Sequence, residues 1–266
     1  MGSAARSLRF LAATVCIAMA SSASHSRGDQ VVLGAEDDAA PWSYADGSGY
    51  VNDLVKAAFQ EVGWDAQWKV MPYTRCKALA IAGKLAGCFS ASKLPELESA
   101  VLYSSEPVFA AQNVLIVPSN STRLGCEVAA WGDQTLIGLV RGYEYTEKVN
   151  ALPHDAKVRI DYADSEVSNL RKLQAGRIDA AVVTVDEVKR LEYLARLANT
   201  TIDFKTVCDL GTMPAYVMFS RLHVQGAAAR AAFDEGHARL IKRRAVAVLQ
   251  LTWRGRALDT LAAKPH

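Results

Sequence analysis

The chain has 266 residues, of which 50% are hydrophobic, and it carries 30 Lys and Arg against 28 Asp and Glu. Two of the basic residues, Arg6 and Arg9, lie in the leader described next, and without them the two charge types balance at 28 each. Such a balance gives no electrostatic footprint for nucleic acid or an anionic membrane. A late basic cluster over residues 239–256 falls at helical spacing, which is typical of a solvated helix face.

Residues 1–23 have the pattern of a secretory signal peptide. Their two arginines precede an apolar run over residues 10–20, and small residues at 18–20 and at 21–23 offer alternative cleavage sites. The run is too short for a comfortable membrane span, and no later run reaches ~18 apolar residues. The sequence therefore predicts an exported, periplasmic protein that is not embedded in the membrane.

The first predicted element of the mature chain is a short apolar strand that begins at Val31 and ends in an acidic turn. Asp38, Trp42 and Tyr44 follow that strand, where the two rings either bind a small polar molecule or pack the loop. A helix with one apolar face comes next, formed by Val51, Leu54, Val55, Ala58, Phe59 and Val62. Gly63 occupies the position of a C-capping glycine.

Strands and helices alternate along the rest of the chain, which predicts mainly parallel sheets covered by helices on both faces. Strands are expected at residues 67–71, 85–90, 113–117, 135–140, 158–162, 178–183 and 215–219. Helices are expected at residues 74–83, 142–150, 165–175 and 186–197, followed by a pair over residues 226–262. Thr74 and Ser165 are the expected N-caps of two of them. Breaks at residues 118–122 and 211–214 divide the series into two α/β lobes.

Four cysteines lie outside the leader, and an even number in an exported protein favours disulfides over free thiols. Cys76 is expected in the first turn of a helix and Cys88 in the strand after it, so a local bridge is feasible. Cys126 and Cys208 bracket the middle segment and are the second expected pair. Other connectivities, and unpaired buried thiols, remain open at this point. No close Cys–Cys or His–His spacing indicates a metal site, and no cofactor is expected.

Six segments resemble, in order, the family 3 extracellular solute-binding proteins, which are the periplasmic partners of ABC importers. They are APWSY with DGSGYVNDLVKAAFQEVG, MPYTRCKALAIAGKLAGCFSAS, YSSEPVFAAQNVLIV, GLVRGYEYTEKV, NLRKLQAGRIDAAVVTVDEV and GTMPAYVMFSRL. The similarity covers essentially all of the mature chain. It implies a two-lobed periplasmic-binding-protein type II fold, in which each lobe is a mainly parallel sheet flanked by helices and two segments form the hinge.

The resemblance also implies where the lobes divide. Lobe 1 is expected to comprise residues 24–116 and 214–266, and lobe 2 residues 117–213, with crossings near residues 114–118 and 213–216. A small polar solute, an amino acid or a related compound, would bind in the cleft between the lobes, which close on it by a hinge motion. The expected protein is a monomer that delivers this solute to an inner-membrane ABC permease.

Candidate ligand contacts come from both lobes, because a polar ligand needs preorganised partners for its charges. Trp42 and Tyr44 supply ring faces for stacking or cation contact. Arg75, at a helix start, either donates two hydrogen bonds to a ligand carboxylate or pairs with a nearby acid. The other candidates, besides Asp38, are Ser90, Ser92, Arg141, Tyr143, Tyr145, Thr184 and Asp186. Residues 141–145 are expected to open a helix whose N-terminus attracts an anion, although both tyrosines there suit packing equally.

Two positions depart from the amino-acid-binding pattern of the family. Leu97 stands where those proteins carry an arginine for the α-carboxylate, and Thr184 stands where they carry an acid for the α-ammonium. Asp186 lies two residues later and points the same way if the strand continues. Loss of the arginine removes a bond worth about 1.5–3 kcal/mol. Either Arg75 replaces it, or the solute is not a standard α-amino acid.

Three functions compete. The first is a non-enzymatic receptor for import, which is the leading hypothesis. The second is an enzyme resembling cyclohexadienyl dehydratases, with Glu36, Asp38 or Glu144 as general acid. No nucleophile motif or paired carboxylates at a defining spacing support it, so no enzymatic activity is expected. The third is a sensory or accessory ligand-binding protein. A cleft filled by the protein's own side chains would contradict the receptor hypothesis.

Overall fold

A computed structural model describes residues 29–262, so the predicted signal peptide lies outside the described residues. The strands of this part of the chain are β1 (Gln30–Glu36), β2 (Asp38–Ala39), β3 (Ser43–Tyr44), β4 (Asp65–Met71), β5 (Gly87–Ala91), β6 (Val101–Tyr103), β7 (Phe109–Pro118), β8 (Thr135–Val140), β9 (Val158–Ala163), β10 (Ala180–Val185) and β11 (Phe204–Ser220). The helices are α1 (Tyr50–Gln60), α2 (Tyr73–Ile81), α3 (Glu147–Ala151), α4 (Glu166–Gln174), α5 (Leu191–Leu197), α6 (Gly226–Lys242) and α7 (Ala245–Ala262). None of these helices combines the length and the apolar character that a membrane crossing needs.

One continuous mixed sheet connects both halves of the molecule. Its strand order is β4-β1-β5-β11-β7-β10-β8-β9, with β6 paired to β11 beside this path. The outer strands pair in parallel at both ends, as in β1–β4 and β8–β9, whereas β11 is antiparallel to β5 and β7. The prediction of mainly parallel sheets therefore holds for the flanks, and the antiparallel centre joins them.

The core of lobe 1 forms where α1 and α6 cover the sheet around β1. The predicted apolar face of α1 is confirmed, since five of its six residues are 0% exposed: Val51, Leu54, Val55, Ala58 and Phe59. Each such Leu or Phe stabilises the fold by about 1.5–3 kcal/mol. Helix α6 lies directly on α1, because a Cβ on Gly236 would overlap the carbonyl oxygen of Ala58.

The core of lobe 2 has two layers on opposite faces of its sheet. Leu115 and Val182 belong to one buried cluster, and their chain neighbours Ile116 and Val183 belong to another. Successive strand residues point to opposite faces, so a strand buried on both sides must be apolar throughout. This explains why residues 180–183 of β10 are all apolar.

The connection between the lobes runs along β7 and β11, which pair from Phe204 opposite Pro118 to Ala215 opposite Phe109. Beyond Ala215 the partner of β11 becomes β5, with Tyr216 opposite Ala91. The change of partner falls within the predicted crossing at residues 213–216. On β7, residues 112–116 pair with β10. The exact lobe boundaries stay a prediction.

Two sequence-based helix assignments are wrong at their N-terminal ends. The helix expected from residue 142 begins only at Glu147, because Gly142 has a φ of +79° that a right-handed helix does not accept. The helix expected from residue 186 begins only at Leu191. Here the Asp186 carboxylate accepts the backbone N–H groups of Val188 and Lys189 and forms a turn instead.

Two further expectations need correction. Thr74 does not cap α2, since the helix begins at Tyr73 and the N–H groups of Arg75 and Cys76 both donate to the Pro72 carbonyl. The break expected at residues 211–214 is part of the continuous strand β11, which absorbs the irregularity in a bulge. The predicted N-cap at Ser165 is confirmed, because its side chain accepts the backbone N–H of Ser168.

Both predicted disulfides are confirmed. Cys76 and Cys88 are bridged with their Cα atoms 5.9 Å apart, which fixes α2 to β5. Cys126 and Cys208 are bridged with Cα atoms 5.0 Å apart across 82 residues of sequence, which ties the loop after β7 to β11. Gly34 makes room for the first bridge, since a Cβ there would overlap the Cys76 sulfur.

Candidate ligand-binding cleft

A cleft lies where strands from both lobes end. Glu36 is the last residue of β1, Ser90 lies at the end of β5, and Thr184 lies at the end of β10. Tyr143 follows β8 in the loop before α3. Ligands of open α/β sheets bind outside the carboxyl ends of the strands, where side chains and free backbone groups converge. The topology therefore brings these side chains to one place.

Thirteen side chains line the cleft, and they come from both lobes and from the strands between them. They are Glu36, Trp42, Tyr73, Ser90, Ser92, Phe109, Ala111, Asn113, Tyr143, Glu144, Thr184, Met213 and Ala215. The cavity they enclose measures about 60 Å³. Pockets for drug-sized ligands measure about 300–1,000 Å³. The cleft is thus narrowed but not filled by the protein's own side chains, and a larger solute requires the lobes to separate.

Two tyrosine–glutamate hydrogen bonds bridge the cleft in opposite directions. Tyr73 of lobe 1 donates to Glu144 of lobe 2 at 2.7 Å, and Tyr143 of lobe 2 donates to Glu36 of lobe 1 at 2.8 Å. The two rings meet edge to face with their centroids 6.3 Å apart. Lys77 of lobe 1 also forms an ion pair with Glu144. These contacts hold the lobes together in the structure.

Trp42 forms a further cross-lobe contact, since its indole N–H donates to Asp186 at 2.8 Å. The ring is stacked on Phe109 with centroids 4.3 Å apart, and the Lys189 ammonium lies 4.2 Å from the ring centroid. The Phe109 ring and the Lys189 ammonium are both too close to the indole to lie on the same face of it, so both faces of the Trp42 ring are covered. Lys189 itself is 1% exposed and pairs with Glu166. Only the edge of the Trp42 ring is left for a ligand.

Burial desolvates three carboxyl groups in and around the cleft, those of Glu36, Asp38 and Asp186. Burial raises the pKa of Glu36 to about 7, although the hydrogen bond from Tyr143 and the charge of Lys189 oppose the shift. Burial also raises the pKa values of Asp38 and Asp186. The pKa of Tyr143 is raised well above its usual value by burial and by the negative charge of Glu36, so its hydroxyl remains a donor. Glu36 is thus a carboxyl group for which a positive partner is favourable.

Ser90 has an unusual backbone and an unused side chain. Its φ of +68° lies in the left-handed region, which non-glycine residues rarely adopt. Its hydroxyl oxygen is buried and has no hydrogen-bond partner. An unpartnered buried hydroxyl costs stability, so a strained residue that presents one to a cleft indicates a group kept for a ligand.

The structure brings five of the predicted site residues to the cleft and places the other six around it. Trp42, Ser90, Ser92, Tyr143 and Thr184 line the cavity. Asp186 and Tyr44 instead form bonds between the lobes. The Asp186 carboxylate accepts the hydrogen bond from Trp42, and the hydroxyls of Tyr44 and Tyr193 share a hydrogen bond of 2.7 Å. Asp38 lies in the short strand β2, two residues after the end of β1, and does not line the cavity.

The remaining three predicted residues do not line the cavity. Arg75 is exposed, and Arg141 is 66% exposed beside Asp164. Tyr145 is buried, and its hydroxyl accepts the backbone N–H of Val140 at 2.8 Å. Residues 141–145 form no helix start, so the expected anion-attracting helix N-terminus is wrong there. Ligand contact by these residues stays a prediction.

Several lining residues were missed from the sequence. Tyr73, Phe109, Asn113 and Met213 lie in segments quoted for the resemblance, but nothing in their local pattern separates a cleft residue from a core residue. The sequence indicates Glu36 and Glu144 only as candidate general acids of an enzyme, not as residues that line a binding cleft. Within the described residues, no group of three or more His, Cys, Asp or Glu side chains is arranged to hold a metal ion.

Comparison with solved structures identifies the fold of this chain. A scan against protein-family models and a search of curated proteins both find no match. Among solved structures, a histidine kinase sensor domain with similarity to periplasmic binding proteins is 17% identical, with a TM-score of 0.71 over 85% of this chain and 96% of that one. An amino acid ABC transporter substrate-binding protein from Streptococcus pneumoniae bound to L-arginine is 18% identical, with a TM-score of 0.67 over 86% and 95%.

A third structure belongs to an ancestral amino-acid-binding protein described as a precursor of cyclohexadienyl dehydratase. It is 16% identical to this chain, with a TM-score of 0.66 over 84% of this chain and 94% of that one. The chain therefore has the bilobal periplasmic-binding-protein type II fold, which confirms the fold class that the sequence resemblance implies. A sensor, an import receptor and an enzyme precursor share this fold, so the function must be argued from the cleft.

Proposed function

We propose that the chain is a periplasmic solute-binding protein that captures a small polar solute between its lobes for uptake by an ABC permease, and that it acts as a monomer without enzymatic activity. The observation that carries the proposal is the cleft itself. Polar side chains from both lobes, including Ser90 and Thr184, converge on a cavity that hydrogen bonds across the lobes nearly close. A hinge that closes over a guest gains such contacts on binding.

Ligand contact is proposed for the predicted residues that line the cavity, namely Trp42, Ser90, Ser92, Tyr143 and Thr184. The lobe boundaries at residues 116 and 213 belong to the same proposal. The signal peptide that the sequence predicts over residues 1–23 supports export. The Streptococcus pneumoniae protein of the same fold supports delivery to a permease, because it is the binding component of an ABC transporter.

A thermal-shift screen of the unliganded protein tests the proposal. The panel contains amino acids, polyamines, opines, carboxylates and aromatic acids, because a solute that binds only the folded state raises the unfolding temperature. A hit recovered unchanged after long incubation supports a receptor. Absence of any shift across the panel counts against it.

Variants on the two sides of the cleft show whether the hit binds between the lobes. Ser92→Ala in lobe 1 and Thr184→Val in lobe 2 should each weaken binding severalfold, since each removes one hydroxyl from the lining. Thr122→Val, at an exposed loop position, is the matched control and should leave affinity unchanged. A hit that responds to only one lobe contradicts capture in the cleft.

One observation favours a second candidate, a dehydratase. Glu36 is a buried cleft carboxyl with a pKa of about 7, which suits a general acid at neutral pH. No cationic side chain lines the described cleft, however, to hold the carboxylates of prephenate or arogenate. Incubation with both compounds decides: turnover that is lost in Glu36→Gln would establish the enzyme and displace the receptor.

A further inference from the structure

The charged side chains that line the cleft are both acidic. Glu36 and Glu144 line it, and no Lys, Arg or His of the described residues does. Glu36 forms no ion pair with a described residue, and only one of its carboxylate oxygens receives a hydrogen bond, that from Tyr143. A buried carboxylate with this little compensation attracts a positive ligand group.

The lysines near the cleft are already paired with carboxylates of the protein. Lys77 pairs with Glu144, and Lys189 pairs with Glu166 behind the ring of Trp42. Arg75 and Arg141, the sequence-based candidates for an anion, are exposed and do not line the cavity. Leu97 stands at the position where a carboxylate-binding arginine is expected, and it packs against a hydrophobic cluster. A ligand carboxylate would meet no positive side chain here.

The uncharged groups that line the cleft add one unpartnered acceptor and ring surface. The Ser90 hydroxyl oxygen is buried and unpartnered, so it can accept a hydrogen bond from a ligand N–H. Asn113 is already committed, since its amide donates to Thr184 at 3.3 Å and its oxygen accepts the backbone N–H of Thr146 at 3.2 Å. Tyr73 and Phe109 add ring surface, which favours an organic cation over a hydrated anion.

Resting on the proposed receptor function, we infer that the solute is a small organic cation with an ammonium or guanidinium group and no free carboxylate. Its positive group contacts Glu36 and the Ser90 hydroxyl, and its carbon skeleton lies against Tyr73 and Phe109. To enter, it displaces the hydrogen bond from Tyr143 to Glu36. The lobes open to admit it and close again around it, because the closed cavity measures only about 60 Å³.

Paired solutes with and without a carboxylate test the inference directly. The pairs are putrescine and ornithine, cadaverine and lysine, agmatine and arginine, and histamine and histidine, titrated into the purified protein by calorimetry. We expect at least one amine to bind at least tenfold more tightly than its parent amino acid. If every measurable pair favours the amino acid, the inference is wrong and the receptor function stands. If neither series binds, the inference is also wrong, and the rest of the solute panel decides the receptor function.

Variants locate the positive group. Glu36→Gln keeps the shape of the side chain and removes its charge, so amine affinity should fall at least tenfold. Glu127→Gln, at an exposed position, is the control and should change nothing. Ser90→Ala removes the hydroxyl proposed to contact the ligand but no hydrogen bond of the structure, so it should lower amine affinity severalfold without lowering the unfolding temperature. This second variant keeps the test decisive if Glu36→Gln folds poorly. Unchanged affinity in the folded variants would overturn the inference.

Arg75 separates the two ligand chemistries. Because Arg75 is exposed and does not line the cavity, Arg75→Ala should leave amine affinity unchanged. If an amino acid of these pairs instead binds more tightly than its amine and loses tenfold or more of its affinity in Arg75→Ala, Arg75 is the carboxylate partner that the sequence alone suggests, and the assignment of a cation is overturned.

Discussion

Gly142 tests whether the closed arrangement of the lobes is the binding-competent one. This residue of lobe 2 lies against Thr74 of lobe 1, and a Cβ at Gly142 would overlap the Thr74 Cγ2 methyl. Gly142→Ala therefore obstructs closure. It also introduces a side chain at a φ of +79°, which costs about 1–2 kcal/mol wherever it occurs.

Gly176→Ala separates these two effects. Gly176 has a similar φ of +65°, but no atom lies within 4 Å of the position its Cβ would take. Both variants should lose the same ~1–2 kcal/mol of unfolding free energy, measured by urea denaturation. Only Gly142→Ala should shift the protein towards an open form. The shift should appear as a larger radius of gyration in X-ray scattering and as at least a tenfold loss of ligand affinity, or about 1.4 kcal/mol.

A compensating change completes this experiment. Thr74→Ser removes the Cγ2 methyl, so combining it with Gly142→Ala should restore both the radius of gyration and the affinity. If Gly142→Ala behaves like Gly176→Ala, or if Thr74→Ser restores nothing, the contact does not limit closure and the reasoning is refuted.

Three more outcomes are expected. Tyr44→Phe and Tyr193→Phe remove the same cross-lobe hydrogen bond, so each should weaken ligand binding by about 0.5–1.5 kcal/mol. The double variant should lose no more affinity than one single variant, because both changes remove one bond. Additive losses in calorimetry would contradict this. Replacing Cys126 and Cys208 together by Ala should lower the free energy of unfolding by about 4 kcal/mol, because the bridge closes a loop of 82 residues; an unchanged urea midpoint would contradict this. Folding raises the pKa of Glu36 from 4.5 to about 7, so its contribution to stability is fully present below pH 4.5 and is lost as the pH rises through 7. The free energy of unfolding should therefore fall by about 3 kcal/mol between pH 4 and pH 8 through this group. That part of the pH dependence should disappear in Glu36→Gln.

The sequence predicts elements whose signals are local. The apolar stripe of α1 and the capping serine of α4 are examples, because spacing and a single hydrogen bond define them. It fails where a side chain or a partner strand overrides propensity. The carboxylate of Asp186 turns the chain before α5, and pairing with β7 carries β11 past Gly211 without a break. Neither effect has a counterpart in hydrophobic periodicity.

The candidate site was predictable in its outline but not in its charge. The ends of β1, β5 and β10 were recognisable, so Trp42, Ser90 and Thr184 were identified as lining residues. The buried pair of Lys189 and Glu166 was not, since it joins residues 23 positions apart through the tertiary fold. The sequence predicts arginines near the cleft, whereas the charged side chains of the described residues that line it are both carboxylates.

The position of Trp42 allows intrinsic tryptophan fluorescence to report the opening of the lobes. The indole N–H is bound to Asp186 across the gap, and the ring lies between Phe109 and Lys189. Separation of the halves exposes this chromophore to water, so the emission maximum of the native protein should move to longer wavelength. The other tryptophans of the chain, Trp64, Trp68, Trp131 and Trp253, do not line the cavity. The emission of the Trp42→Phe variant gives the background signal of these four tryptophans. Stopped-flow fluorescence of the native protein then reports opening and closing in real time without a label.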